Sequence, residues 1–202
     1  MKTIALRDCC RFLSGGTPSK GKPEYWVGNV PWFSPKDIKS FDLLDSQDHI
    51  SEAAVASTAT HTVNVGAILV VARSGVLAHT LPVGVIRQRA AFNQDIKAIL
   101  PNERFDADFV ALFLRSRQEH VLMHGVKVGA TVHSLKSGFL EALQIPDIDI
   151  REQRQVALNL KAQLDAVASV KLAAQAQLAD INRLPARLLA QAFHPADEGT
   201  SA

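Results

Sequence analysis

Residues 151–184, "REQRQVALNLKAQLDAVASVKLAAQAQLADINRL", contain neither glycine nor proline, and no other stretch constrains the fold as strongly. Ala, Leu, Gln, Lys and Arg dominate it, all strong helix formers, so the run predicts one long helix opening at Asp149 or Ile150. At about 1.5 Å per residue it is roughly 50 Å long. Alternating steps of three and four pass through Ala157, Leu160, Leu164, Val167, Lys171, Ala174, Leu178, Ile181, Pro185 and Leu188, a seam that only the lysine and the proline interrupt. Pro185 is expected to bend or end the helix, because it lacks an amide hydrogen and crowds the preceding turn. A domain of about 150 residues is only some 30 to 40 Å across. So long a helix therefore has to offer part of its seam elsewhere, and a narrow seam kept over four heptads favours a partner helix in an antiparallel coiled coil.

The first 150 residues read differently. Gly, Asn and Pro punctuate short runs rich in Val and Ile, among them "VGAILVVA" (65–72), "VGVIRQRAAF" (83–92) and "IKAILP" (96–101), as strands are punctuated. Two segments carry helical periodicity. "ISEAAVAS" has Ser51 as its cap. "FDADFVALFLRSRQEHVLMHG" reads as one helix capped by Asp106 or Asp108, with Val110, Leu114 and Val121 on its apolar side and Gly125 as its stop. The chain is thus expected to be α+β: a strand-and-loop domain at 1–150, a long helix at 151–193, and a disordered polar tail, "HPADEGTSA", at 194–202.

Charge narrows the possible functions. The formal net charge is +2, with 16 Lys and Arg against 15 Asp and Glu in residues 1–150, so any nucleic-acid binding has to come from a local basic patch. Cys9 and Cys10 are adjacent, which disfavours a bridge between them and suits a reducing cytoplasm. The opening "MKTIALRDCCRFL" places Arg7, Asp8 and Arg11 where a signal peptide needs an apolar core, and no run is long enough to span a membrane; cytoplasmic localisation is expected.

The motifs for catalysis are poor. "NQDIKAIL" sets Asp95 and Lys97 on one face of a strand, as a metal-dependent nuclease requires, but no acid lies between Glu52 and Asp95 to share a metal, so an ordinary strand edge is the better reading. His120 and His124 have metal-ligand spacing on a helix but no acid between them, which favours surface histidines. No nucleophile elbow, phosphate loop or dinucleotide fingerprint is present. Neither a catalytic residue nor a metal site is expected.

Binding chemistry is better represented. Three loops, "SGGTPSKGK" (14–22), "ARSGVLAHT" (72–80) and "KVGATVHSLKSG" (127–138), combine small residues with hydrogen-bond donors. Backbone amides, hydroxyls, Lys and Arg grip phosphates, while Arg, His, Asn and Gln read base edges. The residues expected to touch DNA are Lys20, Lys22 and Lys36 around the first loop, Arg73 and Ser74 in the second, and Lys127, Thr131, His133, Ser134 and Lys136 in the third.

Taken in order, "LSGGTPSKGKPEYWVGNVPWFSPKDI", "HISEAA", "VGAILVVARSG", "FNQDIKAILP", "GATVHSL", "LQIPDIDIREQRQVALNL" and "LPARLLAQAF" resemble the specificity (S) subunit of type I restriction-modification systems, over Ile4 to Phe193. The resemblance implies a target recognition domain at 1–150 and a conserved spacer helix that also docks the methyltransferase. It implies a DNA-reading subunit without catalytic activity. Its partners would be methyltransferase (M) subunits, which use S-adenosylmethionine, and restriction (R) subunits, which use ATP and Mg²⁺. In the first loop Gly15, Gly16, Thr17 and Pro18 would shape a turn anchored by Trp26 and Trp32.

S subunits usually carry two recognition domains and two helices. This chain has one of each and resembles a half subunit. It has His194 and Pro195 where an acidic end commonly follows "AF". Two copies pairing antiparallel through Ala157, Leu160, Leu164, Val167, Ala174, Leu178, Ile181 and Leu188 would read a split, palindromic target. Two alternatives stay open: a coiled-coil adaptor whose globular part binds protein, and a truncated subunit that regulates restriction by occupying M subunits.

Overall fold

The computed structural model describes residues 2–193; the tail 194–202, with His194 and Pro195, lies outside the described residues. The chain divides at Ala157 into a compact α+β unit and the helical remainder. Within the compact unit four small sheets are laid down by strands of two to six residues.

The largest sheet has five strands in the order Cys10–Ser14, Ile96–Pro101, Ile68–Val71, Val83–Ile86, Asp42–Leu43, antiparallel except for the last pair. Its central strand, Ile68–Val71, is buried on both faces. This explains why its sequence is unbroken apolar rather than alternating. The helix Ala107–Ser116 packs against Val83–Ile86 and contributes Phe109 to Leu114, all buried, to the main core. A four-stranded sheet, ordered Asp48–Ile50, Val30–Phe33, Ala90–Phe92, Thr62–Val63, contributes to a smaller core of Tyr25, Val30, Trp32, Ile50, Ala54 and Ala91.

Three expectations need correction. "VGVIRQRAAF" is two strands in two different sheets, Val83–Ile86 and Ala90–Phe92, because Arg87 between them is tied to Asp42 (2.5 Å) and Asp108 (2.6 Å) as the chain crosses over. The helix expected over 106–125 is three pieces: Ala107–Ser116, a turn at Gln118–His120, and a π-helical turn Val121–Gly125. Ser116 Oγ donates to the Phe113 carbonyl (2.7 Å) and competes for a backbone acceptor, while the Arg117 amide is shared between Phe113 and Leu114. Asp106 is the cap, accepting from the Phe109 amide at 3.0 Å. Third, Pro185 does not end the long helix, which is continuous over Ile150–Phe193. A single proline removes one donor, and the strong helix formers on both sides, among them Arg183, Leu184, Ala186, Arg187, Leu188 and Leu189, keep the remaining bonds.

Two features close the compact unit. Thr3–Ala5 pairs antiparallel with Gln144–Pro146, so the earliest and latest strands are neighbours, with Asp147 paired to Lys2 (3.2 Å) and Arg104 (2.8 Å). Immediately beyond, Gln153 on the first helical turns is fully buried. Its amide oxygen accepts from the Asp106 N–H (2.9 Å), and its NH₂ donates to the carbonyls of Arg104 (3.0 Å) and Ile148 (2.8 Å). Ala157, one turn on, is buried in the main core, so it is not available to a helix–helix seam; the packing of its own domain uses it first. From Leu158 to Phe193 no side chain is buried, and Leu160, Leu164, Val167, Leu178, Ile181 and Leu188 are all exposed. No helix among the described residues is long and apolar enough to cross a membrane.

Gln153→Leu preserves volume but leaves an amide and two carbonyls without their partner. At roughly 1–3 kcal/mol for each buried polar group left unpaired, the variant should lose at least about 2 kcal/mol. Urea unfolding followed by tryptophan fluorescence tests this, and an unchanged midpoint refutes the role given to the side chain.

Candidate nucleic-acid interface

Distant parts of the chain form the site, and a four-residue turn joins them. Phe92 to Asp95 links the strand Ala90–Phe92 to the strand Ile96–Pro101. The Phe92 carbonyl accepts the Gly16 amide (3.0 Å), and the Asp95 carbonyl accepts the amides of Ala72 (2.7 Å) and Arg73 (3.0 Å). The first and second loops therefore hang on the same turn. Asn93, buried at its base, holds the turn shut: its side-chain oxygen accepts from the Asp95 N–H (3.0 Å), its NH₂ donates to the Asp95 carboxylate (3.3 Å), and its own amide donates to Phe33 (2.9 Å). The third loop joins through a small sheet ordered Val126–Lys127, His133–Leu135, Arg73–Ser74, in which His133 faces Ser74 and Ser134 faces Arg73. Leu135 then donates its amide to the Ala72 carbonyl (2.7 Å).

The first loop needs its glycines for close approach rather than for unusual dihedrals. A Cβ on Gly15 would stand 2.1 Å from the Phe92 carbonyl oxygen, and one on Gly16 would stand 2.8 Å from that of Ala59. Thr17, next along, donates its hydroxyl to the Gln94 side-chain oxygen at 2.5 Å, and Pro18 is buried. Both tryptophans hold the loop: Trp32 Nε1 donates to the Gly16 carbonyl (3.0 Å), Trp26 Nε1 donates to the Ser19 carbonyl (3.2 Å), and the two rings meet edge to face with centroids 5.0 Å apart. With its N–H and part of its face committed, each indole is a structural anchor.

The cationic side chains differ in what already holds them. Lys20 is exposed at the loop tip. Lys22 lies over the Tyr25 ring (4.9 Å) and donates to its hydroxyl (3.2 Å), a bond that pushes its pKa up. Lys36 is ion-paired with Asp48 (2.8 Å), which likewise raises its pKa. It sits on a short 3₁₀ turn, Pro35–Asp37, fixed by a capping box: the Ser34 amide and hydroxyl both donate to Asp37, at 2.9 and 2.8 Å. That turn places Lys36 in a cleft that it lines together with Ser74 of the second loop. Arg73 is exposed, 4.0 Å from the Asp95 carboxylate. Ser74 caps the next turn by accepting from the Val76 N–H at 3.3 Å.

In the third loop Lys127 and Thr131 are exposed and Ser134 is half-buried. His133 Nδ1 accepts the Gly129 amide (3.2 Å), which leaves Nε2 as the ring nitrogen for an outside partner. Lys136 donates instead to the His124 carbonyl at 3.3 Å.

Sequence reasoning gave Gln94 no role and Asp95 only a rejected nuclease role; both line a 280 Å³ pocket with Pro35, Arg73, Ser74, Gly75 and Val132, where the second and third loops meet. Asp95 and Lys97, expected on one strand face, diverge: Asp95 lies in the turn, while Lys97 donates to Ser14 Oγ at 2.8 Å. The signal for the turn was "FNQD", in which an Asn two residues before an Asp can bond its own backbone. The His120 and His124 rings meet at a tilt of 54°, with centroids 5.0 Å apart, and His120 also meets Phe139.

The family profile described as "Type I restriction modification DNA specificity domain" matches residues 1–178. The chain is 36% identical over 152 residues to the specificity subunit of the type I restriction enzyme EcoR124I/EcoR124II of Escherichia coli, covering 75% of this chain and 38% of that one. It is 24% identical over 161 residues to the MjaIX specificity subunit of Methanocaldococcus jannaschii, covering 77% and 36%. Its fold is similar to a chain from a type I R-M complex (TM-score 0.76, 19% identity, 95% of this chain and 45% of that one) and to the HsdS subunit of Thermoanaerobacter tengcongensis (TM-score 0.65, 18%, 96% and 45%). The chain thus spans under half the length of each of these relatives.

Gly15→Ala forces a methyl group against the Phe92 carbonyl and should cost about 1–3 kcal/mol. Hydrogen exchange reads the local effect: the Gly16 amide, now bonded to Phe92, should lose protection, and retained protection would mean that the close approach is not what holds the loop.

Proposed function

The chain belongs to the type I restriction-modification DNA specificity family, and from that membership we propose that it reads duplex DNA and directs catalysis carried out by other subunits. The observation that carries the proposal is that the first two loops are fixed to the Phe92–Asp95 turn while the third pairs with the second. That pairing gathers Arg73, Lys127 and His133 on one sheet of a domain whose overall charge is nearly balanced. A local cluster supplies the electrostatic grip that bulk charge does not.

Roles divide by chemistry. Lys20, Lys22, Lys36, Lys127 and Lys136 would neutralise phosphates, Lys22 and Lys36 after exchanging their present partners. Arg73, Ser74, Thr131, His133 and Ser134 are the base-edge contacts, His133 through Nε2. Residues 1–150 then form the recognition domain. In this reading the helix 151–193 carries two duties, pairing with a second copy and docking M subunits. The chain binds no cofactor itself: S-adenosylmethionine belongs to the M subunits, ATP and Mg²⁺ to the R subunits.

The exposed seam Leu160, Leu164, Val167, Ala174, Leu178, Ile181 and Leu188 supports the self-pairing. A two-fold antiparallel pair of such helices sets two identical domains apart and selects a palindromic, interrupted target. Lys171 on the seam would tune register at some cost in stability.

Two outcomes are expected. Light scattering should give a dimer for the full chain and a monomer for Leu164→Glu combined with Leu178→Glu; a wild-type monomer at micromolar concentration removes the self-pairing. In DNA binding, Lys127→Ala should weaken all sequences alike and lower the salt slope by about one unit, whereas His133→Ala should relax preference at one base position, costing roughly 1–3 kcal/mol there. Co-expression with a candidate M subunit and genome-wide mapping of methylated adenine identifies the site; association without salt-dependent DNA binding would leave an adaptor in place of a DNA reader.

A further inference from the structure

A cleft of about 870 Å³ opens between the Ser34–Lys39 turn, the second loop and the end of the helix Ala107–Ser116. It is lined by three cations, Lys36, Lys39 and Arg115, together with the polar groups of Ser74, Thr80 and Gln118, and by no Asp or Glu. Lys36 is already paired with Asp48 (2.8 Å), so the unbalanced charge of the lining is that of Lys39 and Arg115.

Arg115 is held for use rather than consumed. Its Nε and Nη2 both donate to the Val83 carbonyl (3.1 and 2.9 Å), and the guanidinium lies over the Phe41 ring with 5.0 Å to the centroid. One edge is thereby fixed while Nη1 is left for a ligand. Partial burial lowers its pKa while the Asp42 carboxylate acts in the opposite direction, and the side chain stays exposed to an arriving anion. Gln118 is oriented in a comparable way: its oxygen accepts from the Thr80 hydroxyl (2.9 Å) and the Leu81 amide (3.0 Å), which directs its NH₂ elsewhere. Among the described residues neither Lys39 nor Arg115 is ion-paired.

We propose that this cleft is a phosphate subsite in which Arg115 and Lys39 seat a backbone phosphate of the DNA duplex, beside the loops that face its bases. The inference rests on the DNA-reading role proposed above and extends it to residues outside the three loops. Continuity selects the DNA backbone as the source of the phosphate. Pro35 and Ser74 line both this cleft and the small pocket where the second and third loops meet, so a duplex on the loops carries its backbone across the cleft mouth. A phosphodiester fits the lining, which offers a guanidinium edge, an ammonium and hydroxyls but no acceptor carboxylate.

The test uses the full chain and a short mixed-sequence duplex, with affinity measured by fluorescence anisotropy over a range of salt concentrations. Lys39→Gln and Arg115→Gln should each lower the slope of log K against log salt by about one unit, and Lys39→Arg should restore it. Lys39 is exposed and makes no ion pair, so its variant answers the question even if loss of the Val83 and Phe41 contacts unfolds Arg115→Gln. Lys127→Gln is the loop control. If it lowers the slope while Lys39→Gln does not, the cleft lies off the DNA path and the proposal fails although the interface stands. If the wild-type chain shows no salt-dependent binding, the DNA-reading role falls and takes the subsite with it. Micromolar binding of ATP or pyrophosphate in calorimetry, lost in Lys39→Gln with the DNA slope intact, would assign the cleft to a free polyphosphate. Loss of poly-glutamate binding with the slope intact would make it a dock for acidic protein; either result overturns the backbone assignment.

Discussion

The candidate interface depends on the hydrogen-bonded turn from Phe92 to Asp95. Two of its carbonyls receive the amides of Gly16, Ala72 and Arg73, so segments more than fifty residues apart in sequence are fixed to one short piece of backbone. The turn can serve as that anchor because Asn93 is buried and its side chain answers the amide and carboxylate of Asp95. A buried carboxamide with its groups satisfied rigidifies, whereas one left unpaired costs about as much as the bonds it lost. The third loop reaches the same place by strand pairing, which sets His133 opposite Ser74. Loops positioned by a rigid scaffold are where binding residues are ordinarily found, and here the scaffold extends into the loops themselves.

A second carboxamide does comparable work at the other end of the domain. Gln153 joins the entry of the long helix to the backbone at Arg104, Asp106 and Ile148, and Ala157 packs into the core one turn later. Two physical regimes therefore meet at Ala157. Up to Ala157 the helix is stabilised by burial in its own domain; beyond it, the helix relies on propensity and on whatever its apolar side chains meet. A glutamine on the second turn of a helix looks unremarkable in sequence, since Gln is a good helix former on any exposed face.

Legibility in the sequence followed the locality of the determinants. The long helix, the Ser51 and Asp106 caps and the strands through Ile68–Val71 and Ile96–Pro101 could be read because propensity, capping and apolar runs act over a few residues. The break at Arg117 could not, because it arises from competition between the Ser116 hydroxyl and the backbone for one carbonyl. Nor could the separation of Val83–Ile86 from Ala90–Phe92, which rests on Arg87 meeting Asp42 and Asp108. The three loops were recognisable individually from their glycines and donors. Their meeting point was not, since Gln94 and Asp95 acquire meaning only through partners at Thr17 and Arg73.

The antiparallel pairing of Thr3–Ala5 with Gln144–Pro146 has a consequence for how such a domain can be inherited. Chain entry and chain exit share one small ribbon, so the segment between them is a closed cassette whose insertion site needs only two adjacent backbone ends. Recombination could exchange or duplicate that cassette without rethreading any loop, and a longer polypeptide could carry it in tandem while each copy keeps its own core.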